Sequence, residues 1–468
     1  MENKLTEGSI AKSIIALSIP IIITQILQST FQIVDTLWVG RLGAEAVAAI
    51  AVSFPIIFTL FSFGLGFTTA GTTLVSQFKG KGDEKEVNRM AGQTILLVMF
   101  LSVILSILGY FLSEPLLVLM GAGKDILPQA TSYIQISFIG MVFMFYFFAF
   151  QSLMRGIGNV KTPLYLMLLA VCLNAIVDPI LIFGLGPIPA FGVSGAAIAT
   201  VATQAIAAII GFFLLSGGKH GIHIKLSNMK PDFTLMKKMF YLGFPASLEQ
   251  TLISLNIAAI TVLAAAFGTT ALASYGIWAR ISIVVIIPAM GISFASATLI
   301  GQNIGAGKIE RAESIAKTTA LYSFLILSAI GIVLFFTSEQ IASIFIPGNT
   351  AVSTNAALYI RIVALSMGFF GILQTFLGTL RGSGSMVLAL AMAILTLWIV
   401  RIPLSYYLSH FTALAESGIY YGFAISNIFG AAFSYFLFWQ GKWKKLKLTE
   451  EFKLKEKIEE EILEELVH

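Results

Sequence analysis

Residues 19–43 read IPIIITQILQSTFQIVDTLWVGRLG, an apolar segment that contains a single acid, Asp35. Thr24, Gln28 and Asp35 follow helical spacing, so they lie along one polar face of a helix that is otherwise apolar. A carboxylate inside a membrane-spanning helix is costly and marks a functional site by default. The stretch therefore predicts a transmembrane helix with an ion or proton site on one face.

The composition of the whole chain extends this prediction. Of its 468 residues, 57% are hydrophobic and 11% are charged, which is far from the averages of soluble domains. We therefore expect an all-α polytopic membrane protein with twelve transmembrane helices. The apolar runs of about 20 residues that can each cross a bilayer as a helix begin near residues 13, 46, 92, 127, 162, 192, 235, 270, 316, 351, 386 and 418.

The chain aligns with itself at a shift of 225 residues, which brings Pro20 onto Pro245. Six spans in each half return the chain to the same side of the membrane, so the halves are expected to be parallel six-helix repeats with a substrate path between them. Other matched pairs are Gln25 and Gln250, Gly66 and Gly291, Gln77 and Gln302, Gly82 and Gly307 and, one residue out of register, Tyr133 and Tyr359.

The repeat divides the chain into an N-terminal six-helix lobe (1–216), a linker (217–233), a C-terminal six-helix lobe (234–440) and a charged tail (441–468). Basic residues are concentrated in the loops after the even-numbered spans and in the tail. This pattern predicts that both termini of a multi-pass cell-membrane protein are cytoplasmic. The net charge of +5 then reflects topology and does not indicate a nucleic-acid partner.

A second acid, Asp178, lies inside the fifth span, one helical turn after Asn174 and directly before Pro179. Carboxylate, amide, hydroxyl and phenol oxygens in one layer suit either a proton shared by coupled acids or a sodium-like cation. Counted inward from the predicted outer helix ends, four residues fall within about 5–12 Å of the external boundary: Asp35, Tyr133, Asp178 and Thr200.

The acidic site belongs to the first repeat only. Asp35 aligns with Ile260, and the segment around Asp178 aligns near Arg401. No phosphate-binding GxxxxGK[ST] loop occurs, so ATP is not the expected energy source, and no cofactor is expected. These features predict an antiporter driven by an ion gradient.

These residues and the layout resemble the multidrug and toxic compound extrusion (MATE) transporters, particularly their prokaryotic DinF-like branch. The resemblance implies that Asp35, Asn174, Asp178 and Thr200 form a cation-linked site with Tyr133 beside them, and that these four hold Na⁺ if that is the ion. The segments that carry the resemblance are Gln32 to Gly40, Gln77 to Gly82, Leu153 to Gly156, Asn174 to Pro179, and Gly192 to Thr200.

The resemblance implies a secondary active efflux transporter, not an enzyme, that exports hydrophobic, cationic organic compounds in exchange for H⁺ or Na⁺ by alternating access. The expected partners are small organic molecules and the lipid bilayer, and the expected functional state is a monomer. Pro20 and Pro245, each inside the first span of a lobe, are candidate hinges. The predicted substrate cavity includes Gln28, Trp38, Gln151, Glu249 and Asn256.

Three other classes remain open on the sequence alone. A lipid or lipid-linked oligosaccharide flippase of the same superfamily shares the two-lobe plan, and arginines within the apolar segments are compatible with a phosphate-binding cavity. An intramembrane aspartyl protease also needs two acids, but neither Asp35 nor Asp178 lies in a GxGD motif. A receptor or scaffold that does not transport would not require the polar layer.

Overall fold

A computed structural model describes residues 5–445 and 448–450 of the chain. The predicted tail (441–468) lies for the most part outside the described residues. The helices are α1 (Ile10–Gly40), α2 (Ala44–Lys81), α3 (Glu84–Leu119), α4 (Leu127–Gly156), α5 (Lys161–Phe183), α6 (Val193–Ser216), α7 (Phe233–Ala265), α8 (Thr269–Gly305), α9 (Ile309–Phe345), α10 (Thr350–Ala364), α11 (Met367–Ser383), α12 (Met386–Ala393), a π-helical segment (Ile394–Arg401), α13 (Ile402–Phe411) and α14 (Ser417–Trp439).

The prediction of twelve membrane spans is confirmed for the part of the chain that the structure describes. Eleven helices are long and apolar enough to cross a bilayer, when α12, the π-helical segment and α13 are counted as one. The helices α10 and α11 form the remaining span as a pair that is bent by 54°. Large apolar side chains such as Phe111, Phe213 and Phe336 are about 70% exposed, as expected of residues that face lipid.

The described residues form two compact units, and the chain passes from one unit to the other inside α1 and inside α7. One unit contains the residues up to Ile22 and those from Leu248 onward, and the other contains Ile23–Ser247. These boundaries differ from the predicted lobes, which meet in the loop between α6 and α7. Each changeover comes two residues after a proline, at Pro20 and at Pro245.

Close helix packing at two equivalent glycines explains these boundaries. A Cβ atom on Gly66 of α2 would overlap the backbone nitrogen of Ser247 in α7, and a Cβ atom on Gly291 of α8 would overlap the Ile22 side chain in α1. Both pairs are related by the 225-residue shift of the repeat. Small residues allow helix backbones to approach closely in a membrane. The first part of α1 therefore packs on the second repeat, and the first part of α7 packs on the first repeat.

We expect Gly66→Ala to destabilise the protein, because α7 must move to make room for the added methyl group. The free energy of unfolding should fall by about 1–3 kcal/mol, measured by thermal unfolding in detergent. Gly276→Ala is the matched control, since a Cβ atom on Gly276 within α8 meets no other group within 4 Å. Alanine at that position should leave stability unchanged or raise it by up to about 1 kcal/mol. Equal midpoints for the two variants would contradict the packing argument.

The predicted linker (217–233) is docked onto the first turns of α3. The Gln93 amide donates hydrogen bonds to the carbonyls of Asn228 (3.1 Å) and Lys230 (2.7 Å), and its oxygen accepts one from the Asp232 backbone. Arg89 pairs with the Asp232 carboxylate at 2.7 Å. Burial opposes ionisation of Asp232, but the Leu235 backbone N–H and Arg89 together hold its pKa below the ordinary value. The linker is thus part of the unit that contains α3.

Candidate functional site

The two polar residues of α5 lie one above the other on its buried face. Asn174 and Asp178 are both fully buried, and the Asn174 side-chain amide donates a hydrogen bond of 2.8 Å to Asp178 Oδ1. Pro179 follows directly and has no N–H to donate to the Ala175 carbonyl, so it weakens the helical hydrogen bonding beside the carboxylate. The sequence therefore places a carboxylate on a buried helix face.

Asp35 of α1 and Tyr133 of α4 lie in the same unit as this pair. Asp35 is close enough to Asp178 for charges on their carboxylates to repel each other, and both acids lie near the Tyr133 side chain. The membership of these three groups in one cation site stays a prediction.

The buried polar atoms of this cluster are mainly acceptors that lack donors. Asp35 Oδ1, Asn174 Oδ1 and Asp178 Oδ2 are buried and have no hydrogen-bond partner among the described residues. An ionised carboxylate can only accept hydrogen bonds, and a buried acceptor without a donor is costly. A proton on a carboxylate, or a cation held by these oxygens, would remove that cost. We call Asp35, Asn174 and Asp178 the acidic cluster.

The oxygen atoms of the acidic cluster suit a proton or a hard cation. Among the described residues, no three His, Cys, Asp or Glu side chains lie together as metal ligands. A cation at the acidic cluster would be held by two carboxylates and an amide oxygen, and hard cations prefer such oxygen ligands.

Tyr133 packs beside a small cavity of the same unit. It contacts a buried apolar group of five residues that includes Ala46 and Val193, and these two also line a cavity of about 270 Å³. Trp38 packs against the same group, with its ring edge-on to Phe183 at 6.2 Å. The other residues that line the cavity are Leu42, Glu45, Gln129, Phe191, Gly192 and Ser194.

Other predicted site residues of this unit are less directly connected to the acidic cluster. Thr200 of α6 is half-buried, and its backbone carbonyl accepts a hydrogen bond from the Thr203 hydroxyl. Gln28 of α1 is half-buried, and Gln151 of α4 is buried with its Nε2 unpartnered among the described residues. Their membership in a cation site or a substrate cavity stays a prediction.

The predicted cavity residues of the other unit have protein partners. Glu249 is fully buried and forms an ion pair with Arg381 of α11, which includes an Nε to Oε2 hydrogen bond of 3.4 Å. The Asn256 amide donates to the Leu397 carbonyl at 3.0 Å. Both side chains are held within their own unit, so a role in substrate binding stays a prediction.

The pairing of Arg381 with Glu249 was not evident from the sequence. Glu249 lies in an apolar helix and Arg381 in another, and a buried acid needs a partner of opposite charge. That requirement is a signal that the pair exists, but 132 residues separate the two positions and several arginines could fulfil the role. Of these, Arg361 pairs with Glu339 and donates to Ser338, and Arg280 is exposed.

Comparisons with known proteins agree with the two-repeat fold. The family model described as MatE matches residues 20–180 and 245–407, so one match falls in each repeat. Probable multidrug resistance protein YpnP of Bacillus subtilis (strain 168) is 31% identical over 447 residues, which cover 95% of this chain and 98% of that protein. Probable multidrug resistance protein YoeA of the same organism is 29% identical over 451 residues, with 96% and 97% coverage.

A solved structure has the same fold. The crystal structure of a MATE protein in the bent conformation superposes with a TM-score of 0.88 at 24% identity, and the match covers 96% of this chain and 99% of that one. The family model matches most of the chain, so the chain shares the fold of this family. Members of the family are transporters and not enzymes. The chain belongs to the MATE family of multi-pass membrane transporters.

Proposed function

We propose that this protein is a secondary active multidrug efflux transporter that exports hydrophobic, cationic organic compounds in exchange for H⁺ or Na⁺. The observation that carries the proposal is the acidic cluster, with its three buried oxygens that lack a donor among the described residues. Relatives at 29–31% identity are named probable multidrug resistance proteins, which supports efflux over lipid flipping.

In this proposal the coupling ion binds at the acidic cluster, with the Tyr133 hydroxyl beside it and Thr200 as a further oxygen ligand. Two carboxylates that interact electrostatically repel each other when both are ionised, so a bound H⁺ or Na⁺ is favoured. An ion can drive transport only if it binds one conformation of the protein more tightly than the other. Release of the ion on the cytoplasmic side would then return the carboxylates to the state with the unfavourable charge.

The proposed substrate-contacting residues are Gln28, Trp38, Gln151, Glu249 and Asn256. Trp38 suits this role, because an aromatic face attracts organic cations. In the structure its ring centre lies 4.5 Å from the guanidinium carbon of Arg41. Glu249 would contribute only if its pairing with Arg381 changes during transport. Pro20 and Pro245 are proposed hinges, because both lie two residues before the changeover between units in helices that remain continuous.

The proposed location is the cell membrane, with both termini in the cytoplasm and a monomer as the functional state. The basic residues in the loops after the even-numbered spans and in the tail support this orientation. Among them, Lys308 pairs with Glu7, and Lys444 pairs with Glu313 at 2.6 Å. The DinF-like branch stays a prediction from the sequence.

Efflux of a fluorescent organic cation from proteoliposomes tests the proposal. A pH gradient and a sodium gradient are imposed separately, and dye release is followed in wild-type protein and in empty vesicles. Release driven by one gradient and not by the other would identify the coupling ion. Absence of release under both gradients, in vesicles that hold their gradients, would contradict the proposal and favour translocation of lipid-linked substrates.

A further inference from the structure

The second repeat has a polar cluster on helices equivalent to those that carry the acidic cluster, but its charge is opposite. A shift of 226 residues brings Tyr133 onto Tyr359 and Thr200 onto Ser426. Arg401 directly precedes the Ile402–Pro403 pair, which aligns with Asp178–Pro179 at a shift of 224. We call Arg401, Tyr359 and Ser426 the basic cluster.

Arg401 is buried without an acidic partner among the described residues. It is 6% exposed, its Nε donates to Ser426 Oγ, and one terminal nitrogen donates to Asn427 Oδ1, both at 2.8 Å. The Asn427 amide in turn donates to Ser366 Oγ at 3.0 Å, and the guanidinium carbon lies 3.9 Å from the centre of the Phe423 ring. A guanidinium has five N–H donors, so three remain after these two bonds.

A buried tyrosine adds a further unpaired donor next to Arg401. Tyr359 is fully buried, and its hydroxyl has no hydrogen-bond partner within the described part of the chain. Its ring stacks on Tyr420 at 3.9 Å and on Trp278 at 5.4 Å, which holds the hydroxyl in place. Tyr359 lies near the guanidinium, because its ring centre is 6.4 Å from that of Phe423, the ring over which Arg401 packs.

The backbone that presents Arg401 is irregular. Arg401 is the last residue of the π-helical segment Ile394–Arg401, and π-helical turns occur frequently at functional sites. Two hydrogen bonds from side chains hold this segment against α7. Trp398 donates to the Leu252 carbonyl at 3.2 Å, and Asn256 donates to the Leu397 carbonyl at 3.0 Å. The position of the guanidinium is therefore determined by several tertiary contacts.

A guanidinium cannot give up its proton in a protein, so its burial in an apolar unit must be compensated by a negative charge or by strong acceptors. Ser426, Asn427 and the Phe423 ring are neutral and occupy only part of its hydrogen-bonding capacity. The unused groups, namely the remaining guanidinium N–H groups and the Tyr359 hydroxyl, are donors. The chemistry that satisfies donors beside a positive charge is a small anion.

We propose that Arg401 and the Tyr359 hydroxyl bind a small monovalent anion, a halide or a carboxylate, inside the C-terminal repeat. The proposal does not depend on the transported compound, because it rests on the charge and the hydrogen bonding of this cluster alone. In this arrangement one repeat holds a cation-binding cluster and the other holds an anion-binding cluster on equivalent helices.

Thermal unfolding of the purified full chain in sodium bromide tests the proposal, with sodium gluconate of equal ionic strength as the reference because that anion is too bulky for a buried site. The wild-type midpoint should rise with bromide and saturate. Arg401→Gln should abolish the dependence, and Tyr359→Phe should raise the half-saturating concentration by about tenfold, as expected for the loss of a hydrogen bond to a charged group. Arg280→Gln, at an exposed arginine of α8, should behave as wild type.

A sodium acetate series distinguishes the two kinds of anion, since stabilisation by acetate as well as bromide indicates a site that accepts carboxylates. Crystals grown in bromide should show an anomalous peak beside Arg401, which also decides the question if Arg401→Gln does not fold. Equal wild-type midpoints in bromide and gluconate would overturn the proposal. So would a bromide effect that both variants at the basic cluster retain, or the absence of the peak.

Discussion

Replacement of Asp178 by asparagine is expected to slow ion-driven efflux severely while the protein stays folded. Asparagine keeps the shape of the side chain, but it can neither exchange a proton nor supply a negative charge to a cation. The Asp178 side chain is fully buried, and Oδ2 has no partner among the described residues, so the variant loses the group that an ion would bind. A coupling free energy of about 1–3 kcal/mol corresponds to a factor of about 5–150 in affinity, and we expect the rate of efflux to fall by the same order. The measurement is the initial rate of dye release under the gradient that drives wild-type efflux.

The control for this prediction is Asp125→Asn, which changes an exposed aspartate of the loop between α3 and α4 and should transport as wild type does. Asp35→Asn should cause a loss of the same order, because the proposed ion site uses both carboxylates. The unfolding midpoint of each variant separates loss of coupling from loss of fold. Gradient-driven efflux by a folded Asp178→Asn protein at the wild-type rate would exclude the acidic cluster as the coupling site.

The features that could be predicted from the sequence are those that depend on local composition or on the repeat. Apolar runs of about 20 residues predict spans because a helix of that length crosses the hydrocarbon core. Asp35 and Asp178 could be identified because an acid in such a run is costly. The bend between α10 and α11 was not predicted, because the residues at the break remain apolar and the segment reads as one continuous span.

The passage of α1 and α7 between the compact units could not be predicted, since it depends on tertiary packing. The repeat alignment identifies Gly66 and Gly291 as equivalent, but it does not say which helix approaches each of them. In the structure a Cβ atom on Gly66 would meet Ser247, which is far away in the sequence. An alignment of a chain with itself identifies equivalent positions. Such positions can be packed by a helix of their own repeat or by a helix of the other repeat, and the alignment does not distinguish the two.

Breaking the buried ion pair between Glu249 and Arg381 is expected to lower the free energy of unfolding strongly. The two side chains are 0% and 8% exposed. Glu249→Gln leaves the guanidinium buried with no carboxylate at this position, so the free energy of unfolding should fall by about 3–5 kcal/mol. Thermal unfolding in detergent measures the change. Glu310→Gln, at an exposed acid at the start of α9, should remain within about 0.5 kcal/mol of wild type.

A double variant distinguishes the cost of an unpaired charge from the value of the pair itself. The two charges attract each other, but each also loses its hydration on burial, so an apolar pair of similar volume is often equally stable. We therefore expect Glu249→Leu with Arg381→Met to recover most of the stability that Glu249→Gln loses. If the double variant is as unstable as the single one, the pair contributes net stability. If the double variant is stable but transports as slowly as Asp178→Asn, the charged pair takes part in transport.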